Sequence, residues 1–161
     1  MPTRGEARRR ATETLRRAGA PTPALDADVL LAHTLGVPKE TLVAHPEVEL
    51  TADEGSRFDV FIGKRADGVP VAYLRGFKEF YGLRLAVDPR VLVPRPETEA
   101  LVDAVRAYAG DRELAVVDLG TGSGAVAIAL GVIAPRLRLT ATDVSAAALV
   151  VARANSSAHG V

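Results

Sequence analysis

The sequence predicts an α/β chain: a small all-α helical bundle, then the opening of a doubly wound parallel sheet. Three observations carry that expectation. Helical periodicity fills roughly residues 1–68, with apolar residues three and four apart. After Val69 the pattern alternates in two short runs around Tyr81 and Gly82. Then "VVDLGTGSGAVAIAL", residues 116–130, reads strand, glycine turn, helix, and a second strand and helix follow.

The elements follow in order. Residues 6–18 are polar and helix-prone, and Gly19 with Pro21 ends them. Leu25, Val29, Leu30, Leu31 and Leu35 recur at helical spacing up to Gly36 and Pro38. A short helix covers residues 39–44. Thr51 and Glu54 form a capping box, in which hydroxyl and carboxylate each satisfy a free backbone N–H, and Phe58, Phe61 and Ile62 supply the inner face behind it. Such a bundle is near the lower size limit for folding alone. "FKEFYGLRLAVD" reads as a β-hairpin. Pro94 and Pro96 enforce an extended approach to a helix that reaches Tyr108, with Leu101, Val102, Val105 and Tyr108 inward. Residues 114–118 make a strand, 125–134 a helix stopped by Pro135, and 137–142 a second strand. Ser145 caps a last helix.

Composition narrows the function classes. The chain has 161 residues, 48% of them apolar and 25% charged, which suits a buried core and a solvated surface. Its net charge of zero carries no electrostatic signature of nucleic-acid binding. The lack of cysteine excludes disulfides and thiolate metal sites and suits a reducing cytoplasm. His33, His45 and His159 lack ligand spacing, so no metal site is expected. No apolar run reaches the roughly 18 residues of a membrane span. The arginine-rich start lacks the apolar stretch of a secretory signal and reads as a solvated helix face.

The glycine turn points to a nucleoside cofactor. It brings backbone N–H groups close to a ligand at a strand's carboxyl end. Asp143 ends the next strand, about twenty residues on, where an acid can accept both ribose hydroxyls. Gly120-x-Gly122-x-x-Ala125 also satisfies a relaxed dinucleotide fingerprint, so an NAD(P)-dependent oxidoreductase stays as the alternative. Asp118 favours S-adenosylmethionine. Two residues before Gly120, its carboxylate suits an ammonium and a sulfonium and would repel a pyrophosphate. Gly120, Gly122 and Gly124 also follow the tighter alternate spacing.

"PVAYLRGFKEFYGLRLAVDPRVLVPRPETEALVD", "VVDLGTGSGAVAIAL" and "TATDVSAAALVVARANSSAHG" together resemble the protein-(glutamine-N5) methyltransferases that act on peptide chain release factors, the HemK/PrmC type. The resemblance runs along essentially the whole chain, and "VPRPETE" is its most specific part. A sister branch that modifies a ribosomal protein usually reads Pro-Arg-Ser-Pro where this chain has Pro94, Arg95, Pro96 and Glu97. The resemblance implies a Rossmann-like S-adenosylmethionine-dependent methyltransferase fold. In it Asp118, Gly120, Thr121, Gly122, Ser123, Gly124 and Asp143 bind the cofactor, and Arg95, Glu97 and Thr98 line the substrate mouth. It implies a docking bundle over residues 1–68, a hairpin and linker over 69–95, and the first part of the cofactor domain over 96–161. A cytoplasmic monomer with a release factor as partner, and neither nucleic acid nor membrane, completes the expectation. A non-catalytic release-factor-binding module and an adenine methyltransferase are the remaining readings.

Family members place Asn-Pro-Pro-Tyr at the end of the fourth strand, where it orients the poorly nucleophilic glutamine amide toward the sulfonium methyl. Here the only asparagine is Asn155, followed by two serines. No catalytic residue is therefore assigned. The chain reads as the amino-terminal part of such an enzyme, inactive by itself and binding S-adenosylmethionine weakly or not at all, with the strand at Val116 and Val117 left as an exposed edge.

Overall fold

The computed structural model describes residues 1–161. The chain forms two compact units, Met1–Arg75 and Gly76–Val161.

The first unit is helical: α1 Arg4–Arg17, α2 Pro23–Leu35, α3 Lys39–Ala44, α4 Ala52–Ala66 and α5 Val71–Arg75. Capping boxes open α1 at Thr3 and Glu6 and α4 at Thr51 and Glu54, and α2 ends on left-handed Gly36. The arginine-rich start is thus a bundle helix. It buries Ala7, Ala11 and Leu15, while Arg8 grips Asp28 through two hydrogen bonds of 2.6 and 2.8 Å and Arg10 meets Asp59 at 2.6 Å. Leu15, Leu30, Leu31, Leu42, Leu50 and Phe58 close the core, each Leu or Phe contributing about 1.5–3 kcal/mol by leaving water. Leu25 is exposed instead of inward, because the buried stripe of α2 is made by Asp26, Ala27, Leu30 and Leu31. Asp26 is buried and paired. Arg65 Nε donates to it at 2.8 Å, as does the Thr22 hydroxyl, and Arg65 Nη1 reaches the Val69 carbonyl. The boundary drawn at residue 68 falls short of Arg75, since α5 packs against α2 and α4.

The second unit begins with β1 Phe77–Phe80 and β2 Leu83–Ala86, antiparallel, with Phe80 opposite Leu83. Tyr81 and Gly82 both have positive φ, 50° and 75°, as a two-residue hairpin turn requires. A single 3-10 turn, Pro96–Thr98, leads into α6 Glu99–Ala109. Then come β3 Ala115–Leu119, α7 Ala125–Ile133, β4 Arg138–Thr142 and α8 Ala146–His159. β3 and β4 pair in parallel, with Asp118 opposite Ala141 and Leu119 opposite Thr142. This is the strand-helix-strand-helix order of a Rossmann-like sheet. Phe80, Leu85, Val102, Ile128, Ala129 and Leu130 form its core. Leu101 and Tyr108 were expected inward but are 52% and 72% exposed. Val102, Val105 and Ala109, spaced three and four apart, already fill the inner face of α6, and Leu101 and Tyr108 lie seven apart on a stripe beside it. β3 pairs with β4 alone, and Val117 and Leu119 on one sheet face are 57% and 79% exposed. No helix is long and apolar enough to cross a membrane.

Candidate functional site

The site is built at the carboxyl ends of β3 and β4, where residues 120–124 form the loop into α7. Its backbone is legible residue by residue. The N–H groups of Gly120 and Thr121 both donate to the Thr142 carbonyl, at 2.8 and 2.9 Å, which ties the loop to the end of β4. Gly124 N–H then donates to the Thr121 carbonyl at 2.8 Å. Gly120, Gly122 and Gly124 have φ of 76°, 56° and 84°, a region that costs a side-chain-bearing residue about 1–2 kcal/mol. Their spaces differ. A Cβ on Gly120 or Gly122 would meet no protein atom within 4 Å, whereas one on Gly124 would lie 2.7 Å from Ile128 Cδ1 and 3.4 Å from Ala152 Cβ. Two glycines therefore leave open space beside the loop, and the third lets α7 pack.

Both predicted aspartates are joined to this loop. Asp118 Oδ2 accepts from the Thr121 hydroxyl at 2.7 Å, and the Asp118 carbonyl accepts from the Thr142 hydroxyl at 3.3 Å. Asp143 Oδ1 accepts from Ser145 N–H, and Oδ2 from Gly122 N–H, both at 2.9 Å. Those backbone donors, Ser145 first and Gly122 second, hold the Asp143 carboxyl below the usual carboxylate range. Each oxygen keeps a further lone pair, so the carboxylate is fixed in place and still able to accept. Thr121 and Ser123 are buried within the loop. The stretch from Asp118 to Gly124 carries no cationic side chain, nor does Asp143.

The expected mouth residues lie at the start of and along the 3-10 turn. Arg95 precedes it with extended backbone and its carbonyl accepts from Thr98 N–H at 3.0 Å; Arg95 and Glu97 are exposed and Thr98 is half-buried. The neighbouring Glu99 does something local instead. Its Oε1 accepts Tyr81 N–H at 2.7 Å, and Asp103 accepts the Tyr81 hydroxyl at 2.7 Å. The hydroxyl's bond to Asp103 raises the Tyr81 pKa. Together these bonds hold the one non-glycine residue with positive φ.

Two further features escaped sequence reasoning. Asn155 is only 3% exposed and is bonded to β2 and to the loop; the signal for it was a lone asparagine inside an otherwise apolar helical stripe. A cavity of about 280 Å³ lies between α7, β4 and α8, lined among others by Ala127, Ile128, Leu139 and Leu149. Gly124 at the end of the loop is part of its lining, but no Asp or Glu side chain is. No group of three or more His, Cys, Asp or Glu is placed to hold a metal ion.

Comparison with known proteins divides the chain in a similar way. Residues 6–76 match the family model described as PrmC N-terminal domain, and residues 96–161 match the methyltransferase small domain. A release factor glutamine methyltransferase of Koribacter versatilis is 45% identical over 149 residues, covering 91% of this chain and 53% of that protein. Proteins of the same name from Coxiella burnetii and Burkholderia pseudomallei are 43% and 44% identical, covering 87% and 91% of the chain and 51% of each relative. The chain spans about half the length of the curated relatives it matches.

Proposed function

We propose that the chain belongs to the family of release factor glutamine methyltransferases, and that it forms the cofactor cradle and docking bundle of an enzyme that methylates a glutamine side-chain amide in a peptide chain release factor. The observation that carries the reading is the pairing of two carboxylates with a glycine loop that has open space and no cationic side chain. Those acceptors fit S-adenosylmethionine, and Asp118 opposes a dinucleotide, whose pyrophosphate would face its negative charge.

S-adenosylmethionine supplies an electrophilic methyl group on a sulfonium. The chain's own residues bind and orient. Asp143 presents its remaining lone pairs to the ribose hydroxyls, while Gly120, Thr121, Gly122, Ser123 and Gly124 surround the methionine portion. Asp118 stands toward its ammonium. Arg95, Glu97 and Thr98 line the mouth where the substrate amide enters, and Arg95 and Glu97 are solvent-accessible for that role. The bundle docks the folded release factor, and the chain acts as a monomer in the cytoplasm. The groups that orient the amide in the resembling enzymes, Asn-Pro-Pro-Tyr, are not in this sequence.

Competition by ligand-detected NMR tests the cofactor assignment. S-adenosylhomocysteine at millimolar concentration should bind and be weakened by Asp143→Asn, whereas NADH should not bind. Binding of NADH with no response to S-adenosylhomocysteine would transfer the chain to the oxidoreductase reading. For the bundle, release factor retained by immobilised Met1–Arg75 supports docking, and no retention removes it.

A further inference from the structure

Asn155 occupies a position that a purely packing role does not require. It lies on the inner stripe of α8 with Ala148, Val151 and Ala152, and its amide makes three hydrogen bonds. Oδ1 accepts Ala86 N–H at 2.7 Å, Nδ2 donates to the Ala86 carbonyl at 3.0 Å, and the same Nδ2 donates to the Ser123 carbonyl at 2.9 Å. Ala86 ends β2. Its neighbour Val87 donates back to Gly76 on the β1 side, so strand alternation turns the Ala86 groups to the opposite edge, where Asn155 meets both. Ser123 sits between Gly122 and Gly124, the two glycines whose positive φ shapes the loop.

We propose that Asn155 is a positioning residue for the glycine loop, holding the Ser123 carbonyl away from the cradle and coupling the loop to the hairpin edge. This rests on the reading of the loop as a nucleoside cradle. Besides the bond from the Thr121 hydroxyl to Asp118 on β3, the loop then has three anchors. The Thr142 carbonyl holds the N–H groups of Gly120 and Thr121, Asp143 holds Gly122 N–H, and Asn155 holds Ser123. The first two lie on or just after β4, and only the third reaches the hairpin. The chemistry demands an amide: one acceptor and two donors on one short side chain. An ionised aspartate would place charge against two carbonyl oxygens, and an apolar residue would leave the buried Ser123 carbonyl and both Ala86 backbone groups without these partners. With Ser123 released, its carbonyl is free to turn between two flexible glycines, and Gly122 N–H loses its fixed direction toward Asp143.

Amide NMR on the whole chain tests this without any ligand. In the wild type both Nδ2 protons of Asn155 should exchange slowly; exchange at the rate of a solvated side chain would overturn the proposal, and that measurement needs no variant to fold. In Asn155→Ala, Ala86 N–H should exchange roughly tenfold faster and the Gly122 and Gly124 amides should shift, while Leu15 and Val102 keep their protection. In Asn155→Asp the acceptor survives, so Ala86 N–H stays protected while the glycine amides still shift. Glycine amides at wild-type positions in both variants would refute a positioning role and leave a helix tie. Addition of S-adenosylhomocysteine separates the two claims. Glycine amides indifferent to it in the wild type would remove the cofactor reading and leave the Asn155 result standing.

Discussion

The two units handle apolar surface differently. In Met1–Arg75 the helices close on each other, and Leu15, Leu30, Leu31 and Leu42 lose all solvent contact. In Gly76–Val161 a two-stranded parallel sheet has helices packed on β3 and β4 residues such as Val116 and Leu139, while Val117 and Leu119 stay open. The bundle draws its order from side-chain packing. The loop at the sheet end draws its order from backbone N–H groups, two aspartates and one asparagine. Stability and ligand chemistry therefore reside in different kinds of interaction, and single substitutions should separate them.

The largest expected effect is in the bundle. Phe58→Ala removes a fully buried ring and should cost about 3–5 kcal/mol, read by urea denaturation. Val117→Ala, on the open sheet face, should stay within about 0.5 kcal/mol. Similar losses at both positions would erase the contrast between the units. Next comes the buried ion pair. Arg65→Met leaves Asp26 with the Thr22 hydroxyl alone and should cost about 3 kcal/mol, much of it regained in Arg65→Met with Asp26→Leu, where no charge is stranded. A double variant no better than the single one would show that the pair acts through something other than charge burial.

Smaller still is Gly122→Ala. Its φ of 56° costs about 1–2 kcal/mol, and the added Cβ meets no protein atom. The methyl group would instead enter the open space beside the loop, so affinity for S-adenosylhomocysteine should fall by more than the stability loss explains. An unchanged affinity would place the ligand elsewhere. The smallest effect is with pH. The folded-state pKa of Asp143 lies below its unfolded value, so its stabilisation is complete above the ordinary carboxylate range and is lost as pH falls through the lowered folded value. A carbon-detected titration of the Asp143 side chain should show a depressed midpoint, and Asp143→Asn should abolish the associated shifts of Gly122 and Ser145 amides. A midpoint in the ordinary carboxylate range would contradict the backbone contacts.

Features encoded locally were legible in the sequence. The Thr51 and Glu54 capping box, the turn at Tyr81 and Gly82, the strand that carries Asp118 and the glycine loop each depend on a few adjacent residues. Asp118 and Asp143 could be paired in advance because consecutive parallel strands bring their carboxyl ends together. What escaped was long-range. Asn155 meets Ala86 across 69 positions, and Arg65 meets Asp26 across 39. Nothing in either neighbourhood names its partner. Leu101 and Tyr108 show the same limit: their apolar character was plain, but the choice of buried stripe on α6 belongs to the elements packed against it. The short α5 was missed because five residues after Pro70 carry too little periodicity to announce a helix.

The most direct test is a structure of the chain with S-adenosylhomocysteine bound. Ribose hydroxyls on Asp143, with the amino end near Asp118 and the nucleoside in the space left by Gly120 and Gly122, is the predicted arrangement. A nucleoside bound away from both aspartates, or a dinucleotide pyrophosphate lying over Gly122, would contradict it.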